Sequence, residues 1–186
     1  MKLNPKDVVS LARNIEIKAR VRNFDVVRRR AAALSSDTPE ILKQEDVFFR
    51  ASCGRLKLRQ LAPDKGQLIH YERPDVSGPK TSTYSISYTE KPTQLRDVLA
   101  SALGETTIVK KVCEIYLVGQ TRIHLDVVEG LGEFMELEVV LSADEAELSG
   151  QNTAYEMMAK LGIEQSDLIE CAYADMMELK TKTSDC

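Results

Sequence analysis

A chain of 186 residues with 43% hydrophobic and 29% charged side chains has the size and make-up of one globular domain, expected here to have its core at about 14–179. No apolar run approaches the roughly 18 residues of a membrane span. No apolar core of about 7–15 residues marks a secretory signal near the start, so a cytoplasmic protein with no membrane partner is expected. The net charge of −4 conceals two segments of opposite sign: residues 1–124 carry 22 Lys+Arg against 14 Asp+Glu, and residues 125–186 carry 3 against 15. A basic segment facing an acidic one suits an anionic ligand held beside a metal. A duplex nucleic-acid binder is more often basic overall, so no nucleic-acid partner is expected. Cys53, Cys113, Cys171 and Cys186 form no Cys-x-x-Cys pair and are joined by only two His. That pattern points away from a zinc site and towards free thiols.

The first strand is the most informative element. In Asn14–Arg22, Ile15, Ile17, Ala19 and Val21 point one way while Asn14, Glu16, Lys18, Arg20 and Arg22 point the other, the period of a half-buried strand. Asp25 can cap a helix running to about Leu34, with Phe24, Val27, Ala31 and Leu34 as its apolar stripe. Strands follow at Val47–Ala51, at Arg55–Arg59 after the Cys53-Gly54 turn, at Leu68–Arg73 after the Pro63–Gly66 turn, and at Tyr84–Thr89. Pro92–Leu103 reads as a helix with Leu95, Val98, Leu99 and Leu103 inward and Gly104 past its end.

Thr106–Leu117 and Arg122–Val128 form a hairpin around Gly119-Gln120, and Glu129–Gly132 turns the chain into a last strand, Phe134–Leu141. There Glu136 and Glu138 share one face, and Met135, Leu137 and Val139 the other. Ser142–Glu145 has the form of a capping box opening a helical region that Gly150 interrupts. Helices near Gln151–Leu161 and Ser166–Leu179 close the chain; residues 1–12 and 181–186 carry no strong signal.

The strands repeat one theme, an apolar face opposite an ionic face. A sheet that keeps one charged face throughout either turns it to bulk water or closes so that the charges line a wet interior, with apolar helix stripes covering the outside. Pattern alone favours an open α+β sheet over the closed barrel. Taken singly, Lys57 and Arg59, or Glu136 and Glu138, would be ordinary exposed strand faces.

The motifs taken together are more specific. The run His124-Leu-Asp-Val-Val-Glu-Gly-Leu-Gly-Glu-Phe-Met-Glu-Leu-Glu138, with Ile15–Lys18, Leu56–Arg59, Tyr71–Pro74, Gly78–Lys80 and Cys171–Met177 in that order, resembles the CYTH superfamily, the triphosphate tunnel metalloenzymes, and most closely their class IV adenylyl cyclase branch. The resemblance spans about Asn14 to Leu179. It implies an α+β fold: an eight-stranded antiparallel closed β-barrel with a charged interior, flanked by helices. It implies binding of a triphosphate-containing small molecule, ATP, inorganic triphosphate or thiamine triphosphate, with magnesium or manganese. Cyclase-like or triphosphatase chemistry would follow.

By the same resemblance, Lys18, Lys57, Arg59, Arg73 and Lys111 match the phosphate-binding bases, and Arg122, Arg20 and His124 join them if the register turns them inward. Glu16 and Glu136 match the metal carboxylates, with Glu138 beside them, and Asp126 matches the tunnel aspartate. Asp126 and Lys111 are the catalytic candidates. Family members are often dimers, although no residue here specifies a homodimer. Two positions depart from the family pattern. Asn14 stands where the Glu-x-Glu-x-Lys motif begins, and Cys113 stands where the sixth strand carries Lys-x-Arg. Both remove charge from the expected site, and the alternative they raise is a catalytically impaired triphosphate- or polyphosphate-binding module.

Overall fold

The computed structural model describes residues 11–184; Cys186 and most of the weakly patterned termini lie outside them. Eight strands form one antiparallel barrel: β1 (Ala12–Arg20), β2 (Glu40–Phe49), β3 (Arg55–Ala62), β4 (Lys65–Glu72), β5 (Lys80–Thr89), β6 (Glu105–Val118), β7 (Thr121–Val128) and β8 (Gly132–Leu141). Their order is β1-β5-β4-β3-β2-β6-β7-β8, and β8 pairs back onto β1 to close the ring. Among the described residues four α-helices flank it: α1 (Phe24–Leu34), α2 (Pro92–Leu103), α3 (Glu147–Leu161) and α4 (Tyr173–Ser184). The open sheet that pattern alone favoured is therefore not formed. Among the described residues no helix is long and apolar enough to cross a membrane.

Alternation decides which side of the wall is dry. Ile15, Ile17 and Ala19 of β1, Ile123 and Leu125 of β7, and Met135, Leu137, Val139 and Leu141 of β8 point outward into the main core. They meet Phe24, Val27 and Ala31 of α1 and Ala154, Met157 and Leu161 of α3. A smaller cluster packs Leu95, Leu99 and Ala100 of α2 on Val47, Phe49 and Leu58. Successive strand residues face opposite sides, so burying this outer face sends Asn14, Glu16, Lys18, Arg122, His124, Glu136 and Glu138 into the lumen. Gly150 does not break α3. An added Cβ would lie 2.6 Å from Leu141 Cδ2 and 2.7 Å from Ile15 Cγ1, so the missing side chain lets the helix approach the barrel.

Several local expectations are corrected. Asn23, not Asp25, caps α1, its Oδ1 accepting from the Val26 amide at 3.1 Å, while Asp25 pairs with Arg28. Val98 and Leu103 of α2, expected to point inward, are exposed, so its packed stripe narrows to Leu95 and Leu99. The β2 strand begins at Glu40 rather than Val47. Glu145 accepts from the Ser142 amide, but α3 opens only at Glu147. The last helix starts at Tyr173, after a single 3-10 turn at Gln165–Asp167.

Candidate active site

The lumen encloses a cavity of about 450 Å³. Phe48 and Val109 give it an apolar floor together with Tyr173, the first residue of α4, whose ring lies 5.1 Å from that of Phe134 behind it. Around this floor the wall is ionic, and most of its charges have a partner of opposite sign.

On β2 and β3, Asp46 sits opposite Arg59 in the ladder. Its carboxylate accepts from Lys57 Nζ at 2.7 Å and from Arg59 Nε and Nη2 at 2.7 and 2.8 Å. Burial alone would raise the Asp46 pKa, but the two cations outweigh it and hold the carboxyl well below its ordinary range. Lys57 is pushed down, first by burial and then by its neighbour Arg59.

On β1 and β8, Glu16 faces Glu138 and Lys18 faces Glu136 in direct register. Lys18 Nζ lies 3.0 Å from Glu136 and 3.5 Å from the centre of the Tyr173 ring. Arg73, just past β4, donates to Glu16 at 2.9 Å. Glu16 is nonetheless pushed up, by burial first and then by the charge of Glu136, with Glu138 adding to it. At the far end of β7, Arg122 lies 3.4 Å from Glu138, which also faces His124 Nε2 at 3.3 Å.

Asp126 has no exposed surface. Its Oδ2 accepts from Lys111 Nζ at 2.8 Å and from the Tyr173 hydroxyl at 2.9 Å. Burial would lower Lys111, but Asp126 outweighs it and keeps the ammonium protonated. Cys113, opposite Asp126 on β6, points its Sγ to within 3.3 Å of His124 Nδ1.

The CYTH domain model matches residues 12–173. The chain belongs to the CYTH domain family. Solved structures share the fold. The PH1012 protein of Pyrococcus horikoshii OT3 superposes with a TM-score of 0.78 at 24% identity, covering 87% of this chain and 98% of that one. An adenylate cyclase candidate from Vibrio parahaemolyticus gives 0.71 at 20% identity, over 89% and 97%. A Hippeastrum adenylyl cyclase candidate with a dominant triphosphatase activity gives 0.57 at 18%, over 91% and 96%. A comparison with curated proteins yields no match.

Within this CYTH tunnel, Glu16, Lys18, Lys57, Arg59, Arg73, Lys111, Arg122, Glu136 and Glu138 all line the one cavity. Asp126 does not line it and stands behind Lys111. Arg20 is exposed at the end of β1, its guanidinium 5.5 Å from the Phe134 ring, and does not join the set. His124 does.

Sequence reasoning missed three residues. Asp46 fell outside because the strand was expected to begin at Val47; the alternation Gln44, Asp46, Phe48 carries the signal. Tyr173 was placed inside a helix rather than at the head of one. Lys80 sits opposite Glu16 on β5 and is 2% exposed. Its Nζ donates to the carbonyls of Val76, Ile169 and Glu170, tying the segment before α4 to the barrel.

The donor set suits a hard divalent cation. Glu16, Glu136 and Glu138 offer carboxylate oxygens from adjacent strands, and Asn14 Oδ1 is buried with no hydrogen-bond partner. Glu16 is pushed up by burial first and then by the charge of Glu136, a neighbour with which it could share a cation. Oxygen donors without sulfur or imidazole are the preference of magnesium and manganese.

Proposed function

We propose that this CYTH chain binds a triphosphate-bearing small molecule in the tunnel, beside magnesium or manganese, and cleaves it. The observation that carries the proposal is the convergence of Lys18, Lys57, Arg59, Arg73, Lys111 and Arg122 on one enclosed cavity. Charge-assisted contacts from several bases are what a polyanion needs, and the Arg59 fork adds bidentate geometry. Bound phosphate oxygens would take over bases that now rest on carboxylates, Arg59 and Lys57 from Asp46, and Lys18 from Glu136.

Glu16, Glu136 and Glu138 would hold the cation, with Asn14 as a neutral oxygen. When bound, such an ion neutralises charge developing on the phosphate oxygens. Lys111 acts as a fixed positive charge rather than as a base, because Asp126 keeps it protonated; Asp126 and Tyr173 position it. In triphosphatase chemistry, water attacks the terminal phosphorus and the bridging P–O bond breaks. In cyclase chemistry, the ribose 3′-hydroxyl attacks the α-phosphorus and pyrophosphate leaves. The same cradle serves both.

Asn14 and Cys113 favour a second reading, a module that binds without turnover. Asn14 withholds one carboxylate, and Cys113 places a thiol against His124 where a guanidinium would face the lumen.

The test incubates the protein with magnesium or manganese and ATP, inorganic triphosphate or thiamine triphosphate, and quantifies phosphate, pyrophosphate and cyclic nucleotide. Turnover of one substrate that Glu136→Gln abolishes supports the enzyme. Saturable binding without product supports the module. Neither binding nor turnover contradicts both.

A further inference from the structure

One cluster in the tunnel has a different chemistry from the carboxylate set. Cys113 lies directly across the β6–β7 ladder from Asp126, and His124 is two residues away on the same face of β7. The Cys113 Sγ, a His124 ring nitrogen and an Asp126 carboxylate oxygen all lie within 4.8 Å of one another, and all three residues are buried. We propose that Cys113, His124 and Asp126 form a binding site for a zinc-class divalent cation.

Four features support it. The Sγ–Nδ1 separation of 3.3 Å is close to the edge of a tetrahedron built on metal–ligand bonds of about 2.0–2.3 Å, roughly 3.5 Å. Asp126 divides its two oxygens: Oδ2 serves Lys111 and Tyr173, while Oδ1 is buried with no hydrogen-bond partner. His124 would ligate through Nδ1; its Nε2 is buried without a hydrogen-bond partner and lies 3.3 Å from Glu138, within reach of the outer carboxylate that orients many ligating histidines. A thiolate and a carboxylate supply two negative charges to a dication, with the Lys111 ammonium on Asp126 Oδ2 as the one opposing charge in contact. Sulfur and imidazole also select borderline and softer ions over magnesium.

Capture of an ion by a thiol releases the thiol proton. His124 lines the cavity, which gives the ion a route in. The sequence concealed the site because its ligands come from facing strands and lack the short spacings of zinc motifs. The inference holds whether or not the tunnel binds triphosphate.

The test uses the full-length, reduced, metal-free protein titrated with cobalt(II), whose thiolate complexes absorb by sulfur-to-metal charge transfer. A band saturating at a single ion per chain, accompanied by proton release and bleached by zinc, is expected. Cys113→Ser should remove the band. Cys53→Ser, Cys171→Ser and Cys186→Ser should retain it; the first of these controls for the exposed Cys53, His70 and Glu72 group. Circular dichroism checks that each variant is folded. If Cys113→Ser is not, His124→Gln decides: a weakening of about tenfold or more supports the site, and unchanged affinity overturns it. Absence of the band in the parent, or its survival in folded Cys113→Ser, also overturns it.

Discussion

On the outside of β1, β7 and β8, Ile15, Leu125 and Leu137 have no exposed surface and pack with α1 and α3 in one apolar core. On the inside of the same strands, one position along the chain, Glu16, His124 and Glu136 stand in a ring of opposed charges around a cavity. Neighbours in sequence therefore do different work. The outer face supplies apolar burial and holds the ring closed. The inner face pairs its side chains with one another, contacts that the proposed anion would exchange for its own oxygens. A buried ion pair adds little net stability, because desolvation offsets its attraction.

The largest effect should come from the outer face. Leu125→Ala removes a fully buried side chain from the main core and should cost about 2–5 kcal/mol in denaturant unfolding, with little change in the affinity of any lumenal ligand at temperatures where the variant is folded. A loss below 1 kcal/mol would mean that α1 and α3 do not hold the barrel as described.

Asp46→Asn probes the inner face. It leaves Lys57 and Arg59 without their carboxylate, and should lower unfolding stability by about 1–3 kcal/mol while strengthening binding of inorganic triphosphate. Loss of both stability and binding would show instead that Asp46 is needed to hold the two bases in place.

Lys80 stands at the boundary between the two faces and should report on pH. Burial, with Arg73 and Lys18 adding to it, lowers its pKa from 10.5 to about 8. Between those values the unfolded chain binds more protons than the folded one, so this residue's contribution to stability rises as pH increases from about 8 to 10.5. Lys80→Gln should flatten that rise when unfolding free energy is measured across the window. An unchanged slope would show that Lys80 is not the group responsible.

How much of this was legible differs between the faces. The alternation of Asn14–Arg22 and Phe134–Leu141 marked both faces of β1 and β8, and the ordered motifs marked the tunnel lining. Closure was not legible from period two, which tells each strand which face is wet but not which strand it pairs with. The β8–β1 pairing joins residues more than 100 positions apart in sequence. Asp46 was hidden by a strand start placed too late, and Lys80 likewise by a strand expected to begin only at Tyr84 rather than at Lys80. The Cys113–His124–Asp126 group depends on cross-strand register, which no spacing within one segment can carry.

A smaller effect is expected from Asn14→Glu. With a fourth carboxylate beside Glu16, Glu136 and Glu138, manganese binding followed by electron paramagnetic resonance should tighten by about tenfold, roughly 1.4 kcal/mol. Weaker binding would identify Asn14 as a donor suited to the site in its neutral form.

The central claim, that the inner face is a polyanion cradle, is tested most directly by the melting temperature of the protein with inorganic triphosphate and magnesium, in the parent and in Arg59→Ala. Ligand at 100 times its dissociation constant adds about 2.7 kcal/mol to folding stability, so the parent should show a clear upward shift. Arg59→Ala should lose most of it, because it removes the bidentate contact from the middle of the cradle. An absent shift in the parent, or an undiminished one in Arg59→Ala, would contradict the account.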